Sequence, residues 1–173
     1  MNVPLFEEEF LDLILIAEDE TERREIDRIP NLLIVREMLR NDCALREYIT
    51  EHYRAQDRIV VWEDIYYIID QILKTSNATQ RKNKTRNYEN PKDLLSKVDA
   101  NVFLKARFLG EIGLIDKNNF VLALLENEDK DMMLFCQKLN ISSKNLRDAF
   151  RGKVADIFEV VADSYYKGNQ SYS

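Results

Sequence analysis

Four glycines and three prolines are the only strong chain-breakers in 173 residues, and that scarcity limits the fold more than any motif does. A sandwich or barrel needs turn residues at intervals of about 8–12 positions, which this chain does not supply. Helices remain. Apolar periodicity agrees: Phe6, Phe10, Leu13, Ile14 and Ala17 recur at helical spacing over residues 5–17, as one buried stripe requires. Leu11, Leu15 and Ile16 add apolar surface off that stripe.

A charged segment, EDETERREIDR, follows and is closed by Pro30; Asn31 and Asp42 stand where N-caps of two further helices are expected. The stripe Ile65, Tyr66, Ile69, Ile72 and Leu73 predicts a helix over 59–73, with Trp62 near its start. Residues 74–91, KTSNATQRKNKTRNYENP, carry no such period and are polar and basic. A loop of that length marks an organisational boundary. The expected division is residues 1–74 as an N-terminal helical half, 75–91 as a basic loop or linker, 92–167 as a C-terminal helical half, and 168–173 as a frayed tail. The fold class is therefore all-α: an irregular bundle of about nine to eleven short helices, as one body or two small helical subdomains.

In the second half, an apolar residue precedes a capping residue and another follows four positions after it, three times. Val98-Asp99-Phe103, Ile115-Asp116-Phe120 and Ile141-Ser142-Leu146 each match a hydrophobic staple. Gly113 and Gly152 stand where preceding helices are expected to end. A last helix is expected over 154–166, with Val154, Ile157, Phe158, Val161 and Tyr165 along one side.

The third staple lies within CQKLNISSKNLRDAFRGK, residues 136–153. Small Cys136 allows close helix crossing, Asn140 tolerates a positive φ, Ile141 plugs the corner and Ser142 caps the second helix. The segment resembles the helix-turn-helix of bacterial transcription regulators, departing from it at Cys136, where alanine is usual, and at Asn140, where glycine is usual. The resemblance covers roughly 20 residues. It implies a DNA-binding unit at 132–151 in which Ser142, Lys144, Asn145, Arg147 and Arg151 meet phosphates and base edges. Asp148 puts a negative charge on the same face. Such a regulator is expected to be a homodimer with half-sites about 34–36 Å apart.

FLGEIGLIDKNNFVLALL, residues 108–125, is similar to hairpins of death-effector domains and of helical partners of nucleotidyltransferases. The accompanying R-x-D-L, or an arginine and a histidine four residues apart, is missing, and neither family is assigned. GEIG has the G-x-x-G form of an RNA-clamping loop, but Glu111 sits inside it and no strands frame it. Arg81, Lys82, Lys84, Arg86 and Tyr88 offer phosphate and stacking contacts of a salt-sensitive kind.

Catalytic signatures are scarce. The one histidine, His52, shares a face with Leu45, Tyr48 and Ile49, which places it at the core edge. No Walker loop, dinucleotide-binding glycine pattern, nucleophile elbow or histidine-based metal motif occurs. No cofactor and no metal are expected. Cys43 and Cys136 are too few and too far apart for a disulfide framework. The N-terminus carries glutamates rather than the positive charge of a signal peptide, and its apolar run is far short of the about 20 residues that span a membrane. A cytoplasmic protein is expected.

Charge is asymmetric. Net charge is −6; acidic side chains crowd residues 1–30, whereas basic ones prevail over 130–153. The expected function is a non-enzymatic regulatory or protein–protein interaction protein. Its acidic N-terminal face, with Glu7, Glu8, Leu11, Leu15 and Tyr67 as contact residues, meets a basic protein partner. The alternative is the DNA-binding regulator.

Overall fold

The computed structural model describes residues 5–76, 94–110 and 113–154. Residues 77–91 of the basic loop expected over 75–91, residues 155–166 of the helix expected over 154–166, and the tail 168–173 lie outside these. The described residues hold eight α-helices and one short 3-10 turn, and no strand. The protein is an all-α helical bundle.

Helix α1 (Glu8–Arg23) starts where the Glu7 carboxylate accepts the backbone N–H groups of Glu9 and Phe10 at 3.0 and 3.1 Å. It runs past Ala17 and into the charged segment 18–28, ending at Arg23. Glu20 meets Arg23 and Arg24 one turn on, at 3.3 and 2.8 Å, and such spacing supports an exposed helix. Glu25, at φ +57°, turns the chain away.

Helix α2 (Asn31–Met38) is the central element: Leu32, Leu33, Ile34 and Val35 are all buried. A helix apolar on every side must be enclosed by others. Pro30, not Asn31, holds its N-cap position, because proline's fixed φ suits a helix start. Helix α3 (Ala44–Arg54) is capped by Cys43, whose sulfur accepts the Arg46 N–H at 3.4 Å, while the expected cap, Asp42, is exposed outside the helix. Helix α4 (Trp62–Thr75) begins at Trp62; residues 59–61 are not helical and Ile59 is 90% exposed.

A 3-10 turn (Leu94–Ser96) leads to α5 (Ala100–Leu109), α6 (Lys117–Glu126) and α7 (Lys130–Lys138). Each starts on an aspartate, namely Asp99, Asp116 and Asp129. Asp116 and Asn119 exchange two hydrogen bonds, at 2.8 and 2.9 Å, in a closed capping box. Both partners of every expected staple are buried: Val98 with Phe103, Ile115 with Phe120, Ile141 with Leu146. Between α5 and α6, Gly113 adopts φ +73°, as a left-handed position demands. Gly110 is needed for space, since a Cβ there would stand 2.5 Å from the Leu114 carbonyl. Helix α8 begins at residue 143 and continues through Gly152 to residue 154, so Gly152 is not the stop its sequence position suggested.

One contiguous apolar core spans both halves. Phe10 of α1, Phe103 of α5 and Phe120 of α6 pack ring to ring, with centroids 5.1 to 6.3 Å apart. The chain start is tied beside them: Ile115 donates to the Leu5 carbonyl at 2.7 Å, and Glu7 donates to the Ile115 carbonyl at 2.9 Å. The N-termini of α2, α5 and α7 meet where the Asn31 amide donates to Asp99 at 3.1 Å and to Asp129 at 3.3 Å.

Candidate interaction surface

Glu8, Asp12, Leu15 and Asp19 follow one another at helical spacing along the outermost row of α1, and Ile16 lies beside them. All five are exposed. Glu8, Asp12 and Asp19 make no ion pair with a described residue. The neighbouring carboxylates are engaged: Glu9 with Lys117 at 3.2 Å, Glu18 with Lys97 at 3.2 Å and Glu22 with Lys97 at 3.8 Å. Leu15 and Ile16 are 43 and 48% exposed. The result is two large apolar side chains framed by three available carboxylates, on a helix whose opposite side is fully buried.

Of the five expected contact residues, Glu8, Leu11 and Leu15 share α1, with Leu11 half-buried. Glu7 is used in capping. Tyr67 is 64% exposed but belongs elsewhere, in a cleft of about 600 Å³ lined also by Arg24, Ile26, Asp70, Gln71 and Lys74. There Asp70 of α4 accepts from Arg24 at 3.0 Å and from Arg36 Nη2 at 3.4 Å, joining the end of α1 to α2 and α4.

Where α7 meets α8, the corner has the geometry its residues imply. Asn140 is at φ +57°, and the Ile141 N–H reaches back to the Cys136 carbonyl at 2.9 Å. The Ser142 hydroxyl accepts the Asn145 N–H at 3.2 Å. Cys136, Ile141, Leu146 and Phe150 are buried; Ser142, Lys144, Asn145 and Asp148 are exposed. The two arginines are less available. Arg147 is half-buried, with its Nε enclosed and unbonded. Arg151 binds both carboxylate oxygens of Glu126 on α6. Those hydrogen bonds, with the positive charges of Arg151, Lys105 and Arg147 nearby, hold the Glu126 carboxyl below its ordinary value despite partial burial.

Both thiols are buried, and burial pushes Cys136 up to about 11, far from a reactive thiolate. Among the described residues, no three histidine, cysteine or acidic side chains are grouped to hold a metal, and no helix is long and apolar enough to cross a membrane. His52 is half-buried, its ring edge-on to Tyr53.

A second apolar surface escaped sequence reasoning. Leu104 and Phe108 of α5 are 70 and 85% exposed, and Leu95 is 48% exposed. Beside them Leu5, Val98, Phe103, Arg107 and Ile115 line a groove of about 270 Å³. Its signal was an i, i+4 pair, Leu104 and Phe108, lying off the stripe of Val102, Phe103 and Ala106.

Searches of protein-family profiles, curated proteins and solved structures gave no match to this chain.

Proposed function

We propose that this chain is a non-enzymatic protein-interaction module whose contact surface is the outward row of α1. The carrying observation is the exposure of Leu15 and Ile16 between Glu8, Asp12 and Asp19. A partner with basic residues around an apolar ridge fits that surface: charge speeds encounter and selects the partner, while apolar contact holds the complex. Two unpaired, buried thiols suit a reducing cytoplasm as its setting.

The second reading is a DNA-binding regulator, favoured by the corner at Cys136–Ser142. Its cationic face rests on Lys144 and Arg147, because Arg151 is held by Glu126.

One titration separates the two. Labelled basic and acidic amphipathic helical peptides of matched hydrophobicity, and labelled duplex DNA, are each added to the chain at two salt concentrations. The interaction reading expects binding of the basic peptide that Leu15→Glu with Ile16→Glu abolishes, and no DNA binding. Salt-dependent DNA binding lost with Lys144→Glu and Arg147→Glu establishes the second reading instead. Equal affinity for both peptides sinks the first.

A further inference from the structure

We propose that this chain associates head to tail with itself, the outward row of α1 on one copy seating on the outward row of α5 on the next. The inference rests on the reading of α1 as the contact surface and names its partner as a second copy.

The two surfaces are complementary in charge. On α1, Leu15 and Ile16 sit among Glu8, Asp12 and Asp19. On α5, Leu104 and Phe108 stand one turn apart, far more exposed than the buried Val102, Phe103 and Ala106 of the same helix. At helical spacing, half-buried Lys105 and exposed Arg107 flank that pair, one on either side. Neither cation makes an ion pair with a described residue. Each row therefore presents what the other requires, apolar side chains beside the opposite charge. The adjoining groove, with Leu5, Leu95 and Val98 in its walls, gives a branched apolar side chain of α1 a place to seat. Lengths agree as well: Glu8 to Asp19 rises about 16 Å and the ten residues of α5 about 15 Å.

Other pairings are opposed. Within one copy the rows cannot meet, because their helices share a core on the inner side, where the Phe10 and Phe103 rings lie 6.3 Å apart. Pairing α1 with α1 sets Glu8, Asp12 and Asp19 against carboxylates. Pairing α5 with α5 sets Lys105 and Arg107 against cations, with no acidic residue on that helix to offset them. A contact between unlike surfaces leaves one of each free on the terminal copies, so association continues unless the rotation closes a ring. Two helix faces of this length fall short of the about 1,600 Å² of a stable complex. The contact is therefore weak and concentration-dependent.

The test is sedimentation velocity of the full chain over a concentration series at two salt concentrations. Leu15→Gln with Ile16→Gln removes apolar contact from α1 at unchanged charge; Leu104→Glu with Phe108→Glu sets carboxylates on α5 against those of α1. All four positions are exposed, and circular dichroism checks that both variants fold. The native chain should grow beyond a dimer with concentration, less so at high salt. Each variant alone should stay monomeric, and an equimolar mixture of the two should form a dimer and stop there. Association lost in only one variant assigns the contact to like surfaces and overturns the proposal. So does a mixture that stays monomeric where the native chain associates, or a native chain monomeric up to about 1 mM. In that last case the basic peptide separates the two readings: a monomeric chain that still binds it through Leu15 and Ile16 keeps the α1 surface and loses only the second copy, and one that does not bind it loses both.

Discussion

Arg151 spans the gap between α8 and α6 to hold both oxygens of Glu126, with its Nη2 2.9 Å from Oε2. The outermost arginine of the supposed recognition helix is thus neutralised by its own protein. On the DNA reading, Glu126→Gln releases that guanidinium, raises affinity for duplex DNA and steepens the logarithmic salt slope by about one. Anisotropy that stays flat at low salt in this variant leaves the corner as packing alone. The pair also has a pH signature. Glu126 titrates below its ordinary value when folded, so its contribution is complete above about 4.5 and is lost as pH falls through the lower folded value. Arg151→Ala should flatten that part of the acid-unfolding curve.

Asn31 presents a different case, because its amide serves two carboxylates that cap two other helices. Asn31→Leu leaves Asp99 and Asp129 without their shared donor and should cost about 1–3 kcal/mol at neutral pH. Burial already raises the Asp129 carboxyl above its ordinary value, against the hydrogen bonds from Met132 and Asn31. A raised carboxyl weakens the fold as pH rises through its folded value. The deficit of the variant should therefore shrink on acidification towards pH 4, measured by urea unfolding at several pH values.

Asn140 holds φ +57° at the corner. Asn140→Gly is expected to be neutral or slightly stabilising, and Asn140→Val to cost about 1–2 kcal/mol through left-handed strain. Urea midpoints should move accordingly with an unchanged slope.

Cys136 lies 2% exposed under that corner. With its thiol at about 11, roughly one in a thousand is ionised at pH 8. Alkylation of the native chain should spare it, and unfolding should expose it, as peptide mass will report. Cys136→Leu overfills the crossing and should cost about 1–3 kcal/mol.

On α1 the buried and outward rows should behave oppositely. Ile14→Ala, from a fully buried site, is expected to cost about 2–5 kcal/mol. Leu15→Glu should stay within about 0.5 kcal/mol. Thermal unfolding of the two variants compares them directly, and a large loss from Leu15→Glu would show that this residue packs rather than waits for a partner.

What the sequence disclosed was local. Asp99, Asp116 and Ser142 as caps, and Asn140 as a left-handed residue, depend on neighbours within a turn, so spacing alone reveals them. Asp42 misled because any nearby acceptor looks like a cap, whereas the chain's path selected the Cys43 sulfur. The extension of α1 beyond Ala17 rests partly on Lys97, which reaches Glu18 from another segment. Arg151 looked free because Glu126 stands 25 residues earlier. Tyr67, like Leu11 and Leu15, lies off the main apolar stripe of its helix, and only the packing of α4 puts it with Arg24 instead. The α5 groove depends on how Leu5 and residues 95–98 lie against that helix, which no helical period encodes.

The pairing of Leu5 and Glu7 with Ile115 also sets a schedule for biosynthesis. As α1 leaves the ribosome it presents Phe10, Leu13 and Ile14 to water, and its aromatic partners Phe103 and Phe120 are translated about a hundred codons later. At roughly 5–20 residues per second, α1 has α2 to pack against but lacks Phe103 and Phe120 for on the order of 5–20 s. Chaperone dependence during translation, more than the stability of the finished bundle, should then decide how much protein a cell recovers.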